Sequence, residues 1–206
     1  MVQGDAAGSI QTEGVATHRL VVLVLFALTA LVVDVGGAPS ARAYERHAEL
    51  ERVVARFALR EAEVRCPSAD EWVADPIWGP DPRVPRGWAY TNMVRDYVVL
   101  HPLLCAGALH VTDPEVSMAE RAAAALVLLH EAYHVRWWSG RWNEARVECQ
   151  AIRNFKAAAR ALGASPTLAN ELLPYALALH LRMGARFPEY ADRRCRLPVW
   201  APPFAP

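Results

Sequence analysis

One stretch constrains this chain more than any other. Ala122 to Trp138 is apolar at almost every position, yet it carries His130, Glu131 and His134. A helix that is apolar all round is a buried helix. Its start is marked twice. Asp113-Pro114 offers a cap with proline at the first helical position, and Ser117-x-x-Glu120 reads as a capping box one turn later. Gly140 marks its end. Two imidazoles and a carboxylate on such a helix cost free energy unless partners satisfy them. Any fold of this chain has to deliver those partners.

The three residues form His130-Glu131-Ala132-Tyr133-His134, an H-E-x-x-H pattern. Positions i and i+4 share one helix face, so His130 and His134 can aim two imidazoles at one metal ion. Zinc (Zn2+) accepts such nitrogen ligands in tetrahedral geometry. Glu131, beside the first histidine, is placed to act as general base toward water at that metal. A third ligand is expected from the segment that follows. Asn143 is a helix cap, Gly163 a helix stop, and Glu144 and Glu148 lie one turn apart between them. If this helix returns antiparallel, Glu144 sits in the first turn near the loop. Glu148, one turn deeper, then lies nearer the level of the two histidines. Spacing therefore leans toward Glu148 as third ligand and Glu144 as a neighbour, with both kept as candidates. The bland alternatives are a histidine pair on a helix surface and a solvated acidic face.

The rest of the chain reads as mainly α, α+β at most, in one domain spanning 44–206. Leu50, Val53, Val54, Phe57 and Val64 form an apolar stripe that predicts a helix over 44–65, ended by Cys66-Pro67. Residues 67–92 are rich in proline, and Trp72, Trp78 and Trp88 are expected to anchor a long loop there. Val94, Tyr97, Val98 and Val99 suit one short strand over 93–100, which could offer an edge to an extended peptide. Ser165-Pro166 opens a last helix, which Pro174 is expected to kink or divide and Gly184 to close. Tyr175, His180, Tyr190 and Arg136 are candidates to face a metal, each read first as packing or surface. His101 and His110 read as loop histidines. Trp137, Trp138 and Trp142 sit in the turn beside the motif.

The N-terminal segment bears on location. A polar leader ends in His18-Arg19, Leu20 to Val33 is uncharged and apolar, and Gly36-Gly37, Pro39 and Ala41-Arg42-Ala43 follow. This order predicts a secretory signal over 1–43, cleaved after Ala43. An uncleaved membrane anchor is the alternative, and both put the domain outside the cytoplasm. Cys66, Cys105, Cys149 and Cys195 all follow that point, as two disulfides in an oxidising compartment would require. Lys+Arg and Asp+Glu balance at 22 each, which removes any electrostatic case for nucleic acid as a partner.

Asn143-Glu144-Ala145 with an acid at 148 resembles the N-E-x-x-x-D segment of the thermolysin-like gluzincins. The resemblance implies a zincin-like helical core, with Glu144 as zinc ligand and Glu148 orienting His130. The gap between His134 and Glu144 is far shorter than in that family. The wider pattern, H-E-A-x-H, a short turn and N-E-A-x-x-E-C, resembles exported actinobacterial HExxH proteins. There a cysteine precedes the loop, another precedes the motif helix, and a P-x-Y…C segment comes late. Cys66, Cys105 and Pro188-Glu189-Tyr190…Cys195 match these features. This likeness covers most of residues 60–195 and implies the pairings Cys66–Cys105 and Cys149–Cys195. The expected function is an exported zinc metallohydrolase, a peptidase acting on a peptide or protein substrate. The alternative is a non-catalytic metal-binding or interaction domain of the cell envelope, and a third reading is a structural envelope protein.

Overall fold

The computed structural model describes residues 44–74, 88–92, 96–137, 143–191 and 195. The expected targeting segment, the proline-rich tail, Trp78, Trp138, Gly140 and Trp142 lie outside the described residues.

The elements run β1 (Glu45–Arg46), α1 (Ala48–Ala58), β2 (Glu63–Cys66), α2 (Ala69–Val73), β3 (Ala89–Asn92) and β4 (Tyr97–Leu100). They continue with α3 (Pro102–Leu109), α4 (Met118–Arg136), α5 (Glu144–Ala161) and α6 (Pro166–Arg186), and end on a 3-10 turn, Pro188–Tyr190. Among the described residues the protein is mainly helical, with one four-stranded sheet of order β1-β2-β4-β3.

Helix α4 is the axis of the fold. Its start follows the capping box: Ser117 Oγ accepts from Glu120 N at 3.2 Å, and Glu120 Oε2 accepts from Ser117 N at 3.2 Å. Asp113-Pro114 does not open the helix. The Asp113 carboxylate instead accepts from Glu115 N at 2.9 Å and closes a turn ahead of it. From Ala122 onward almost every residue of α4 is buried, because α1, α3, α5, α6 and the strands β3 and β4 all pack on it. The alanines let α3 come close. A Cβ on Gly107 would stand 2.9 Å from the Ala124 Cβ and 3.1 Å from the Glu120 carbonyl oxygen.

The sheet departs from expectation. The first helix stops at Ala58, with Leu59 in the left-handed region, and Glu63–Cys66 is a strand. Val64 fits the helical stripe of α1 by position, but Ala62, Val64 and Cys66 also alternate inward, which is the period of a strand. Strand β2 pairs parallel to β4, and β3 pairs antiparallel to β4 with Thr91 opposite Val98. Four strands therefore replace the single one expected, and β4 is interior with all four residues buried. The outermost strand beside α4 is β3. In the segment before it, Trp72 is a buried anchor, whereas Trp88 is 46% exposed.

Asn143 caps α5 by accepting from Arg146 N at 2.9 Å. Beyond α5, Gly163 takes φ 102°, a conformation that favours glycine. Helix α6 runs unbroken past both Pro174 and Gly184. An interior proline costs roughly 3 kcal/mol. Burial of Leu172, Leu173, Ala176, Leu177 and Leu179 along one face outweighs that cost. Disulfides join Cys66 to Cys105, tying β2 to α3, and Cys149 to Cys195, tying α5 to the chain beyond the 3-10 turn. These are the pairings implied by the resemblance, and they fit an oxidising, extracellular environment. Among the described residues no helix is long and apolar enough to cross a membrane.

Candidate metal centre

Helix α4 turns His130 and His134 to the same side, with their Nε2 atoms 3.0 Å apart. Helix α5 comes back antiparallel across that side. Its cap at Asn143 puts Glu144 in the first turn, where Glu144 Oε2 lies 3.1 Å from His130 Nε2 and 3.2 Å from His134 Nε2. One turn on, Glu148 passes beyond His134 and reaches the opposite edge of the His130 ring. Its Oε2 accepts from His130 Nδ1 at 2.9 Å.

The two acids are thus divided differently from what spacing suggested. Glu144, not Glu148, faces both Nε2 atoms. Depth along the helix was the wrong coordinate, because an imidazole carries its nitrogens on different edges and each edge meets a different turn of α5. Glu144 at the two Nε2 atoms and Glu148 at His130 Nδ1 are the positions that the N-E-x-x-x-D resemblance implies for the two acids.

His130, His134 and Glu144 form a group that can hold a metal ion, their donor atoms all within 4.8 Å of one another. Four-coordinate zinc with ligand distances near 2.0–2.1 Å sets its ligands about 3.3 Å apart. The observed triangle of 3.0, 3.1 and 3.2 Å is close to that edge. Two nitrogens and one carboxylate oxygen also suit zinc chemically. His130 and His134 are each 7% exposed, so water does little to satisfy them.

The charges are strongly coupled. Burial disfavours a proton on His130, but the hydrogen bonds to Glu144 and Glu148 and the negative charge of Glu131 outweigh it and hold its pKa up at about 10. Burial pushes Glu144 up, yet His130 and His134 draw it down to about 2. The same opposition, with His130 and His180 as partners, holds Glu148 at about 2. The cluster can therefore be satisfied by a proton on His130, and a metal ion arriving there has to displace that proton.

Three further residues complete the surroundings. Thr91, on β3, donates to Glu131 Oε2 at 2.5 Å, and Glu131 itself is only 6% exposed. His180, on α6, places Nδ1 3.0 Å from Glu148 Oε1. Tyr190, on the 3-10 turn, stacks on His130 with ring centroids 5.6 Å apart. Burial, then the charges of Glu144, Glu131 and Glu148, push its hydroxyl well above the usual tyrosine range.

From sequence alone His180 and Tyr190 read first as packing or surface, and nothing local to them marks a role. No local signal points to Thr91, whose partner Glu131 lies 40 residues away. Of the remaining candidates, Tyr175 is 45% exposed, and Arg136 donates to the Phe57 carbonyl at 3.5 Å. His101 caps α3, accepting from Leu103 N at 3.2 Å. Trp137 stacks on Tyr133 and lies under Arg146.

Compared with known proteins, the chain matches no family model, no curated protein and no solved structure. The functional reading rests on the residues themselves.

Proposed function

We propose that the protein is an exported, zinc-dependent peptidase of zincin type, with His130, His134 and Glu144 as metal ligands and Glu131 as general base. The observation that carries this reading is the triangle of two buried Nε2 atoms, on the helix that also bears Glu131, and one carboxylate oxygen of the half-buried Glu144 on the next helix. Zinc bound there would supply Lewis acidity, polarising a scissile carbonyl and easing the deprotonation of water.

This chain's residues supply the rest. Glu131 takes the proton from the attacking water and returns it to the leaving amine. Thr91 holds one oxygen of Glu131 by its hydroxyl, so the carboxylate enters the reaction already oriented. Strand β3, which carries Thr91, is one of the two edge strands of the described sheet, and the one beside α4. An extended peptide pairing with that strand is brought to Glu131 and the triangle. Glu148 stays with Nδ1, away from the donor triangle, which argues against the non-catalytic reading in which both acids close the metal's coordination.

The test is elemental analysis of protein purified without chelator, followed by peptide cleavage. One zinc per chain is expected. Glu131→Gln is expected to keep that zinc and lose about 10²–10⁴-fold in cleavage rate. Full activity in the variant would sink the mechanism. Iron in place of zinc would point to oxygen chemistry at the same donor set.

A further inference from the structure

Glu148 is 4% exposed, and its carboxylate is gripped from two helices. Oε2 accepts from His130 Nδ1 at 2.9 Å, and Oε1 meets His180 Nδ1 at 3.0 Å. Glu148 links His180 to His130.

We propose that His180 is a positioning residue for the metal group. It donates its Nδ1 proton to Glu148 and so turns that carboxylate toward His130. The proposal rests on the metal reading above.

The chemistry runs in one direction. A carboxylate with one oxygen held by His180 has its plane fixed. The other oxygen then accepts the proton of His130 Nδ1, which leaves His130 Nε2 bare and directed at His134 and Glu144. The same grip withholds Glu148 from the metal, because both of its oxygens are already engaged. Without His180, Glu148 would keep one partner and gain freedom to rotate. His130 would then lose the constraint on its tautomer and its ring orientation. Partners of this kind typically contribute 10–100-fold to metal affinity.

The experiment measures zinc affinity by chelator competition on the full, disulfide-intact chain. His180→Ala is expected to weaken zinc binding at least about tenfold. His180→Asn, whose side-chain amide can donate from nearly the place of Nδ1, is expected to restore affinity to within about threefold of the unaltered protein. In a Glu148→Ala background, His180→Ala is expected to add nothing further, since the two residues act as one unit.

Nitrogen-detected NMR of the zinc-loaded, unaltered protein gives a second readout that does not depend on any variant folding. Protons on Nδ1 of both His130 and His180 are expected. A bare Nδ1 on His180 overturns the proposal, as does unchanged zinc affinity in His180→Ala. Absence of zinc binding by the unaltered protein overturns the metal site itself and the positioning role with it. Zinc binding with no response to His180 overturns only the role of His180.

Discussion

The two halves of α4 are buried alike but held differently. From Ala122 to Leu129 the helix is apolar and lies in the main hydrophobic core, where packing satisfies it. From His130 to His134 it carries three polar side chains, each less than a tenth exposed. Those three, with the acids facing them, draw partners from β3, α5, α6 and the closing 3-10 turn. Apolar packing is non-directional and tolerates adjustment. A buried imidazole needs a particular atom within hydrogen-bond reach, and losing it leaves the full desolvation cost. The first half can therefore change with loss of stability alone, whereas the second links stability to chemistry.

The largest expected contrast comes from one truncation in each half. Leu128→Ala, at a fully buried position, is expected to cost about 2–5 kcal/mol in denaturant unfolding and to leave zinc stoichiometry intact. His130→Ala is expected to abolish stoichiometric zinc binding and also to lower stability, because Glu148 loses a partner at 4% exposure. Equal zinc binding by both variants would erase the distinction between the halves.

Proton linkage sharpens the same contrast. In the metal-free protein His130 titrates at about 10, so zinc binding at pH 7 is expected to release about one proton from it. Calorimetry in two buffers of different ionisation enthalpy measures this directly. For the metal-free fold, His130 is raised above its unfolded value of about 6.5. Its contribution is complete below that pH and is lost as pH climbs through about 10. Glu144 and Glu148 are depressed, so theirs is complete above about pH 4.3, the unfolded value. It disappears as pH falls through about 2. The site therefore stabilises the metal-free protein most between about pH 4.3 and 6.5. Leu128→Ala should leave that profile unchanged in shape, and His130→Ala should flatten its alkaline side.

The smallest effect is expected at Thr91. Thr91→Val removes the hydrogen bond to Glu131 and keeps the shape of the side chain. A loss of about tenfold in kcat is expected, with zinc content unchanged, in line with one hydrogen bond to a charged group. An unchanged kcat would show that Glu131 is oriented without help from β3.

Local signals in the chain proved readable to the residue in several places. Ser117 and Glu120 close their capping box, Asn143 caps α5, and His130 and His134 share a face. Each depends on atoms within about one helical turn of each other, and sequence spacing reports such neighbours directly. Other local signals were overruled. Pro174 did not divide α6, Asp113-Pro114 did not start α4, and Val64 belongs to a strand. In each case packing or a better-satisfied cap outweighed a weak propensity.

The centre itself divides along the same line. That His130, Glu131, His134, Glu144 and Glu148 belong together was legible from a motif and a short return. Which acid meets which nitrogen was not, because it depends on how α5 crosses α4. Thr91, His180 and Tyr190 arrive from elements distant in sequence, and no spacing rule links them to the motif. Side chains within one turn are placed by the backbone's own period. Partners across the fold are placed by how whole helices and strands pack, and that is a property of the assembled core.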